Sequence, residues 1–323
     1  MKMPSILSFQ FMTNPTFLQV IENDLGLRNI TATQAWLIEN KKSIELKLNE
    51  HGAILFKDLP IVTAEDFDQF VSTFNYDTFT YEESLSNAVR INKTNKVFTA
   101  NEAPKEVEIF LHHEMAQTPT YPKKIFFFCR SAANKGGETP LCRSDDLYEA
   151  LLREDKNLID RFEDLGVIYS SIMTSEDEFK SGQGRSWQRT LGVTSRDEAE
   201  IKLANLGYSW DWIEENNLSV TTRTFEAIKE LAEGKKSFFN QVIAASLGWI
   251  KNSKNQVSPV RFGNGDEIEQ SHIELITDLA ESLTLLRSWQ DNDILIIDNY
   301  RVMHGRKPFS GQKNREVLVS LTS

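Results

Sequence analysis

The spacing of apolar residues near the start of the chain predicts helices, and further along it changes to the spacing of strands. After a capping-box-like start at residues 63–66, apolar side chains recur at three- and four-residue intervals: Phe67, Phe70, Val71 and Phe74. This spacing predicts an amphipathic helix. Asn14-Pro15 predicts another helix start, with proline at the first helical position. The apolar run at 52–56 predicts a strand.

Uninterrupted apolar runs predict buried strands in two separate parts of the chain. The segments 124–129 (KIFFFC) and 293–298 (DILIID) contain such runs, and Gly136-Gly137 predicts a turn. Between them, residues 145–285 predict helices and loops, including one amphipathic helix with apolar positions at Leu275, Ile276, Leu279, Leu283 and Leu286. Strand-rich segments on both sides of a helical insert predict an α+β fold with a double-sheet jelly-roll core.

We therefore expect a single domain over residues 1–323. Residues 1–85 would supply N-terminal helices and a strand, 86–145 and 286–323 the core strands, and 146–285 the helical insert.

Composition narrows the classes of partner. The 323 residues include 36 basic and 47 acidic side chains, a net charge of −11, which argues against nucleic acid or an anionic membrane as the main partner. No apolar run reaches the roughly 18 residues that a membrane helix needs, and the N-terminal segment does not have the pattern of a signal peptide. Two cysteines cannot build a disulfide scaffold. We expect a cytoplasmic protein that acts on a small molecule.

Two His-x-Glu patterns are candidates for metal binding, and roughly 0.7 His-x-acid pairs are expected by chance from five histidines and 47 acidic residues. In an extended segment, side chains two apart lie on one face, so His112 and Glu114 can reach one ion together. His272 and Glu274 fall on the predicted amphipathic helix, where the same spacing turns the side chains about 200° apart. We interpret the second pair as surface residues.

His304 is the natural third ligand, since it ends the strand-like run 294–303 and precedes Gly305. Two histidines and one carboxylate on one face of an octahedron are typical of non-haem Fe(II) oxygenases. The alternative for His304 alone is a turn histidine without a metal. A thermolysin-type zinc site would need His-Glu-x-x-His, which the sequence lacks.

Arg315 adds an anion-binding group to this set. It shares the apolar parity of a predicted strand with Val317, Val319 and Leu321, and an arginine there is costly unless an anion meets it. Its planar fork fits a carboxylate through two hydrogen bonds. The loop between His304 and Arg315 would let their strands lie antiparallel, with both side chains facing one interior; the alternative is an arginine at the sheet end that reaches solvent.

These residues together resemble the TauD/TfdA-like Fe(II)/2-oxoglutarate dioxygenases, and among them the SyrP-like amino-acid hydroxylases. The resemblance lies in residues 111–115 (LHHEM), 136–140 (GGETP), 298–306 (DNYRVMHGR) and 311–315. The intervals also agree: 27 residues separate His112 from Thr139, and 11 separate His304 from Arg315. Similar stretches extend the resemblance over roughly residues 50–323.

The resemblance implies a double-stranded β-helix fold and assigns roles by position. His112, Glu114 and His304 would bind Fe(II), while Arg315 and the Thr139 hydroxyl would hold the distal carboxylate of 2-oxoglutarate. With dioxygen, this set would hydroxylate a substrate C–H and release succinate and CO2. Family-like segments near the pocket also supply substrate-contact candidates: Arg90, Asn101, Glu102, Trp187, Gln188 and Asn240.

Two departures refine the implied chemistry. The carboxylate ligand is Glu114 rather than the aspartate common in taurine-type enzymes, which indicates the amino-acid-hydroxylating branches. Because a halogenating relative would carry Gly or Ala there, Glu114 also argues against halogenation. Asn264 stands where an aspartate is expected, so that loop has no assigned substrate role.

The substrate would be an amino acid or related small carboxylate, free or tethered to a carrier protein. Three alternatives stay open. The same site could catalyse desaturation, cyclisation or epimerisation; the barrel could be a cupin-like binding protein without catalysis; or the site could be a hydrolytic zinc centre.

Overall fold

The computed structural model describes residues 17–79, 84–86, 88–178, 184–249 and 258–323; the helix start predicted at Asn14-Pro15 lies outside them. In this part of the chain there are eight α-helices: α1 (Ile30–His51), α2 (Ala64–Thr73), α3 (Ser144–Glu154), α4 (Lys156–Leu165), α5 (Trp187–Leu191), α6 (Arg196–Leu206), α7 (Val242–Gly248) and α8 (Gln270–Ser282). Two short 3-10 helices lie at Glu214–Asn216 and Ala232–Gly234.

The strands of the described residues follow in chain order: β1 (Leu18–Glu22), β2 (Ala53–Lys57), β3 (Phe98–Thr99), β4 (Ile109–His112), β5 (Lys124–Ser131), β6 (Lys135–Gly136), β7 (Thr139–Arg143), β8 (Val167–Met173), β9 (Ser209–Ile213), β10 (Asn217–Thr221), β11 (Lys229–Glu230), β12 (Lys236–Ser237), β13 (Val260–Phe262), β14 (Thr284–Arg287), β15 (Ile294–Asp298), β16 (Val302–Arg306), β17 (Phe309–Ser310) and β18 (Glu316–Thr322).

Two sheets form the core. The larger has the strand order β1-β2-β15-β5-β18-β3, and the smaller has the order β14-β7-β16-β4. Their inner faces pack together, with Leu141 and Val302 of the smaller sheet against Phe127, Leu295 and Val319 of the larger. This arrangement confirms the predicted jelly-roll core with N-terminal helices and an insertion.

β5 shows why its sequence is a continuous apolar run. Phe127 points into the space between the two sheets, whereas Phe126 and Phe128 pack under α1 and α2 with Phe67 and Phe70. Both faces of the strand are therefore buried, which removes the polar–apolar alternation of a half-exposed strand.

Local capping contacts fix the start of α2 and the end of α1. The Thr63 hydroxyl accepts a hydrogen bond from the Asp66 N–H and the Asp66 carboxylate accepts one from the Thr63 N–H, so the predicted capping box at α2 is confirmed. Gly52 ends α1 in the left-handed region with φ of 80°, which glycine adopts without steric cost. β2 starts at the next residue.

The insert differs from the prediction of helices and loops, since it also contains a four-stranded antiparallel sheet in the order β13-β8-β10-β9. Its strands are three to seven residues long. β9 and β10 are joined through Glu215 and Asn216, both with positive φ. Short strands paired over long sequence distances leave little local signal, so the sequence pattern misses them.

Three further predictions about elements need correction. α8 ends at Ser282, and Leu286 lies in β14, 53% exposed and paired with Pro140. The run 294–303 is two strands, β15 and β16, so that His304 lies in the middle of β16 rather than at a strand end. β16 and β18 belong to different sheets and do not pair. Their side chains meet across the space between the sheets instead.

Candidate metal centre

His112 and His304 lie directly opposite each other on neighbouring antiparallel strands. They are register partners in β4 and β16, and their ring centroids are 4.4 Å apart. Opposite residues of an antiparallel pair project to the same face of a sheet. The pairing of two strands almost two hundred residues apart therefore brings both imidazoles to one point.

Glu114 completes the cluster from just beyond the end of β4. Its Oε2 atom lies 3.5 Å from the His304 Nε2 atom and 4.0 Å from the His112 Nε2 atom. One ligand atom from each of the three residues lies within 4.8 Å of the others. Donor atoms around 2 Å from one ion and at right angles would be about 3 Å apart, so this cluster fits a divalent metal after small side-chain movements.

The protonation states of the cluster also suit a metal. Burial and the neighbouring His304 lower the pKa of His112 to about 4, so its ring is neutral. The His112 Nδ1–H donates to the Phe110 carbonyl at 2.8 Å, which leaves Nε2 as the ligand atom. Burial by itself would raise the pKa of Glu114, but Arg90 and the two imidazoles outweigh it and hold that pKa well below its usual range. His112 is therefore neutral and Glu114 is a carboxylate, the forms in which these groups bind metals.

Asn299 fixes the backbone that carries Glu114. Its Oδ1 accepts from the Glu114 N–H at 2.8 Å, and its Nδ2 donates to the carbonyls of Glu114 at 3.0 Å and Pro122 at 2.8 Å. The side chain is fully buried. Residue-type reasoning gave Asn299 no role, although a polar residue directly after the buried strand β15 was a signal that could have found it.

A cavity of about 280 Å³ extends from the metal cluster between the two sheets. Arg315 reaches it from the start of β18 together with Val317 and Val319, as the strand parity predicts. Burial lowers the pKa of Arg315, opposed by Cys129 and Glu138, yet the guanidinium stays a cation because its pKa begins so high.

The Arg315 guanidinium faces the cavity with no side-chain carboxylate against it among the described residues. Its buried Nε atom has no hydrogen-bond partner in the same part of the chain. The ring of Phe309 lies 5.4 Å away. Gly137 packs against the arginine so closely that a Cβ there would lie 2.9 Å from the Arg315 Nε atom. A cation held this way fits an anionic carboxylate.

Thr139 lines the same cavity from β7. The indole Nε1–H of Trp289 donates to its hydroxyl oxygen at 2.9 Å. The hydroxyl hydrogen of Thr139 is then free to donate elsewhere. Sequence reasoning did not single out Trp289, and no periodicity marks it.

The six substrate-contact candidates separate into two groups. Arg90 and Asn101 line the cavity. The other four lie away from its wall. Glu102 is exposed, and the buried Trp187 donates its indole N–H to the Asn216 carbonyl. Gln188 lies beside Trp187 in α5.

Asn240 is the fourth candidate outside the cavity wall. It is buried, and both its side-chain groups are used internally: Nδ2 donates to the Ala227 carbonyl and Oδ1 accepts from the Val242 N–H. None of these four residues is among those that line the cavity, so their predicted contact with substrate stays a prediction. The neighbouring Gln241 does line it.

The second His-x-Glu pair behaves as a surface pair. His272 lies on α8 and faces Asp155, with 3.5 Å between Nε2 and Oδ2, while Glu274 accepts from Gln270. Asn264 lies in an exposed turn where it bonds to Asp266.

Comparison with known proteins places the chain in a family. Residues 21–321 match the taurine catabolism dioxygenase TauD/TfdA family. A clavaminate synthase-like protein of Arabidopsis thaliana is 33% identical over 282 residues, which is 87% of this chain and 84% of that protein. The dapdiamide synthesis protein DdaC of Enterobacter agglomerans is 28% identical over 289 residues, covering 85% and 83%.

Solved structures agree on the fold at low sequence identity. PvcB of Pseudomonas aeruginosa aligns with a TM-score of 0.54 and 12% identity, covering 96% of this chain and 87% of that one. A taurine dioxygenase of Burkholderia xenovorans aligns with a TM-score of 0.53 and 11% identity, covering 88% of this chain and 80% of that one. AAD-2 in complex with Mn(II) and N-oxalylglycine aligns with a TM-score of 0.52 and 13% identity, covering 88% of this chain and 87% of that one.

The chain is a non-haem iron dioxygenase of the 2-oxoglutarate-dependent class, and it belongs to the TauD/TfdA family. Enzymes of this class use Fe(II), 2-oxoglutarate and dioxygen, and the cluster of His112, Glu114 and His304 fits the iron. When bound, these cofactors supply the oxidising power to break a substrate C–H bond. Among the described residues, no helix has the length and apolar character to cross a membrane.

Proposed function

We propose that this dioxygenase hydroxylates an unactivated C–H bond of an amino acid or related small carboxylate, either free or tethered to a carrier protein. The balanced reaction joins the substrate, dioxygen and 2-oxoglutarate and yields the alcohol, succinate and CO2. Desaturation, cyclisation and epimerisation use the same site and differ only in product.

One observation carries this proposal: a metal-ligand cluster and a buried arginine open into the same cavity. We assign metal binding to His112, Glu114 and His304, and binding of the distal 2-oxoglutarate carboxylate to Arg315 and Thr139. Two histidines and a carboxylate leave three positions of an octahedron for co-substrates. The side chains of Glu114 and His304 are largely buried, which strengthens the charge-assisted contacts that they make.

The remainder of the cavity wall supports a small polar substrate. Amide side chains of Asn101, Gln117 and Gln241 and the carboxylate of Glu178 line it, next to the apolar Trp249. Amides can bond a carboxylate, and a carboxylate can pair with an ammonium group. The relatives named for clavaminate synthase and for dapdiamide synthesis also support a small-molecule substrate.

A product screen tests the proposal. Purified protein with Fe(II), ascorbate and 2-oxoglutarate is incubated in air with the common amino acids, each supplied free and as a pantetheine thioester. We expect one substrate class to stimulate succinate formation and to gain about 16 Da, whereas desaturation would remove about 2 Da. Stimulated succinate release without any change in substrate mass would contradict hydroxylation and support epimerisation.

The Arg315 assignment needs a separate measurement. Succinate formation at varied 2-oxoglutarate, compared between wild-type protein and Arg315→Gln, reports co-substrate binding without a known substrate. Equal Michaelis constants for 2-oxoglutarate in both proteins would contradict the assignment.

A further inference from the structure

The two oxygens of the Glu114 carboxylate have different partners. Oε2 faces the imidazoles of His304 and His112. Oε1 accepts a hydrogen bond from the Arg90 Nη2 atom at 2.7 Å. The Arg90 and Glu114 side chains are 6% and 5% exposed. This ion pair is therefore buried within the site.

Arg90 is held in this place by the protein itself. Its guanidinium lies over the ring of Phe98, 5.3 Å from the centroid, and Phe98 is buried in β3 at the edge of the larger sheet. A cation over an aromatic face is attracted by the ring, and more strongly when water is excluded. The position of Arg90 therefore does not depend on a bound molecule.

The Glu114 backbone is fixed from the other side by Asn299, through its N–H and its carbonyl. With the backbone held by Asn299 and Oε1 held by Arg90, only Oε2 is directed to the metal cluster. We propose that Arg90 is a positioning residue that keeps Glu114 a one-oxygen ligand of the metal; this inference rests on the proposed metal role of Glu114.

One-oxygen ligation matters for the number of free positions on the metal. The three-residue cluster leaves three positions of an octahedron open, and a 2-oxoglutarate bound through two oxygens would take two of them. A carboxylate that used both oxygens would occupy the last. By holding Oε1, Arg90 would leave that position open for dioxygen, so its loss should slow the reaction more than it weakens metal binding.

The positive charge of Arg90 determines how metal affinity should respond when this residue is removed. A guanidinium near the site repels a divalent cation, so its removal does not reduce the electrostatic attraction of the site for metal. A residue that only supported the fold would, when removed, weaken metal binding and turnover together. A substrate contact would change the Michaelis constant for substrate and leave substrate-free turnover unchanged.

The test compares Arg90→Gln, Arg90→Lys and wild-type protein, with Arg130→Gln as the control because Arg130 is a half-exposed arginine paired with Glu316. Mn(II) affinity is measured by titration, and the visible spectrum of Co(II)-loaded protein reports coordination geometry. Succinate formation from 2-oxoglutarate in air, without added substrate, supplies the turnover rate.

For Arg90→Gln we expect a Mn(II) dissociation constant within about threefold of wild type, an altered Co(II) spectrum, and turnover lowered about tenfold or more. Arg90→Lys, which restores a cation with fewer donors, should recover part of the rate. Arg130→Gln should match wild type in all three measurements.

Several outcomes would overturn the proposal. One is an unchanged Co(II) spectrum with normal turnover; another is Mn(II) affinity that falls in parallel with turnover. If Arg90→Gln does not fold, Arg90→Lys decides, and a wild-type spectrum and rate for that variant would refute the proposal that the Arg90 guanidinium is needed to hold Oε1. Failure of wild-type protein to bind Mn(II) at a site sensitive to His112→Ala would instead refute the proposed function.

Discussion

Trp289 donates its indole N–H to the hydroxyl of Thr139 over 2.9 Å, although 150 positions separate them. The bond occupies one lone pair of the hydroxyl oxygen and turns its hydrogen away from the indole. Since Thr139 lines the cavity, this hydrogen is available to an anion there. Trp289 thereby orients a group that we propose to contact 2-oxoglutarate.

Trp289→Phe should raise the Michaelis constant for 2-oxoglutarate, because it removes the orienting donor while keeping an aromatic ring. A lost hydrogen bond of about 1 kcal/mol corresponds to roughly a fivefold change. Steady-state succinate formation at varied 2-oxoglutarate measures it. Trp210→Phe, on the edge strand β9 of the four-stranded sheet in the insert, is the control; an identical response of both variants would argue against a specific role for Trp289.

Arg315→Lys should weaken 2-oxoglutarate binding about 10- to 100-fold, because lysine cannot form the two parallel hydrogen bonds that a guanidinium offers a carboxylate. Binding of 2-oxoglutarate to Mn(II)-loaded protein by calorimetry measures the effect without turnover. Arg130→Lys at the surface should leave binding unchanged. Equal affinity of Arg315→Lys and wild type would show that the carboxylate lies elsewhere.

Gly137→Ala should also impair 2-oxoglutarate binding, through displacement of Arg315. A Cβ at Gly137 would lie 2.9 Å from the Arg315 Nε atom and 3.0 Å from its Cδ atom. Gly234→Ala is a matched control, because Gly234 has nearly the same φ, 72° against 74°, but nothing within 4 Å of its Cβ position.

Both glycine variants carry the left-handed backbone strain of about 1 kcal/mol, so the thermal unfolding temperature should fall similarly in both. Only Gly137→Ala should raise the Michaelis constant for 2-oxoglutarate, by about tenfold. If the Michaelis constant rose in both glycine variants, general backbone strain would be responsible, and not the contact with Arg315.

Asn299→Ala should lower the free energy of unfolding by about 2–4 kcal/mol, because it leaves the Glu114 N–H and the carbonyls of Glu114 and Pro122 buried without partners. Urea unfolding followed by tryptophan fluorescence provides the measurement. Asn264→Ala in an exposed turn should change stability by no more than about 0.5 kcal/mol. A similarly small loss for Asn299→Ala would contradict the role given to its side chain.

The sequence was most informative where one local rule decides a side chain's direction. The extended parity of residues 112 and 114, and the helical spacing of 272 and 274, are enough to separate a metal pair from a surface pair. The alternation along β18 likewise predicts that Arg315 faces the interior, and the two buried faces of β5 follow from its apolar run.

Contacts between segments far apart in the sequence could not be predicted from the spacing of residue types. The four-stranded sheet of the insert consists of short strands whose partners are set by long-range register. The contact of Arg90 with Glu114 joins a segment outside the named strands to the end of β4. Neither carries a periodicity, so the sequence alone gave Arg90 no role beyond that of a substrate-contact candidate.

The proposed activity requires His112, Glu114 and His304 to act together on one metal. The direct test is oxygen-dependent conversion of 2-oxoglutarate to succinate in protein supplied with Fe(II), comparing wild type with the alanine variant of each residue and with His272→Ala as the surface control. We expect turnover in wild type and His272→Ala, and a loss of about 100-fold or more in each of the three alanine variants. Wild-type turnover in His304→Ala or Glu114→Ala would contradict it.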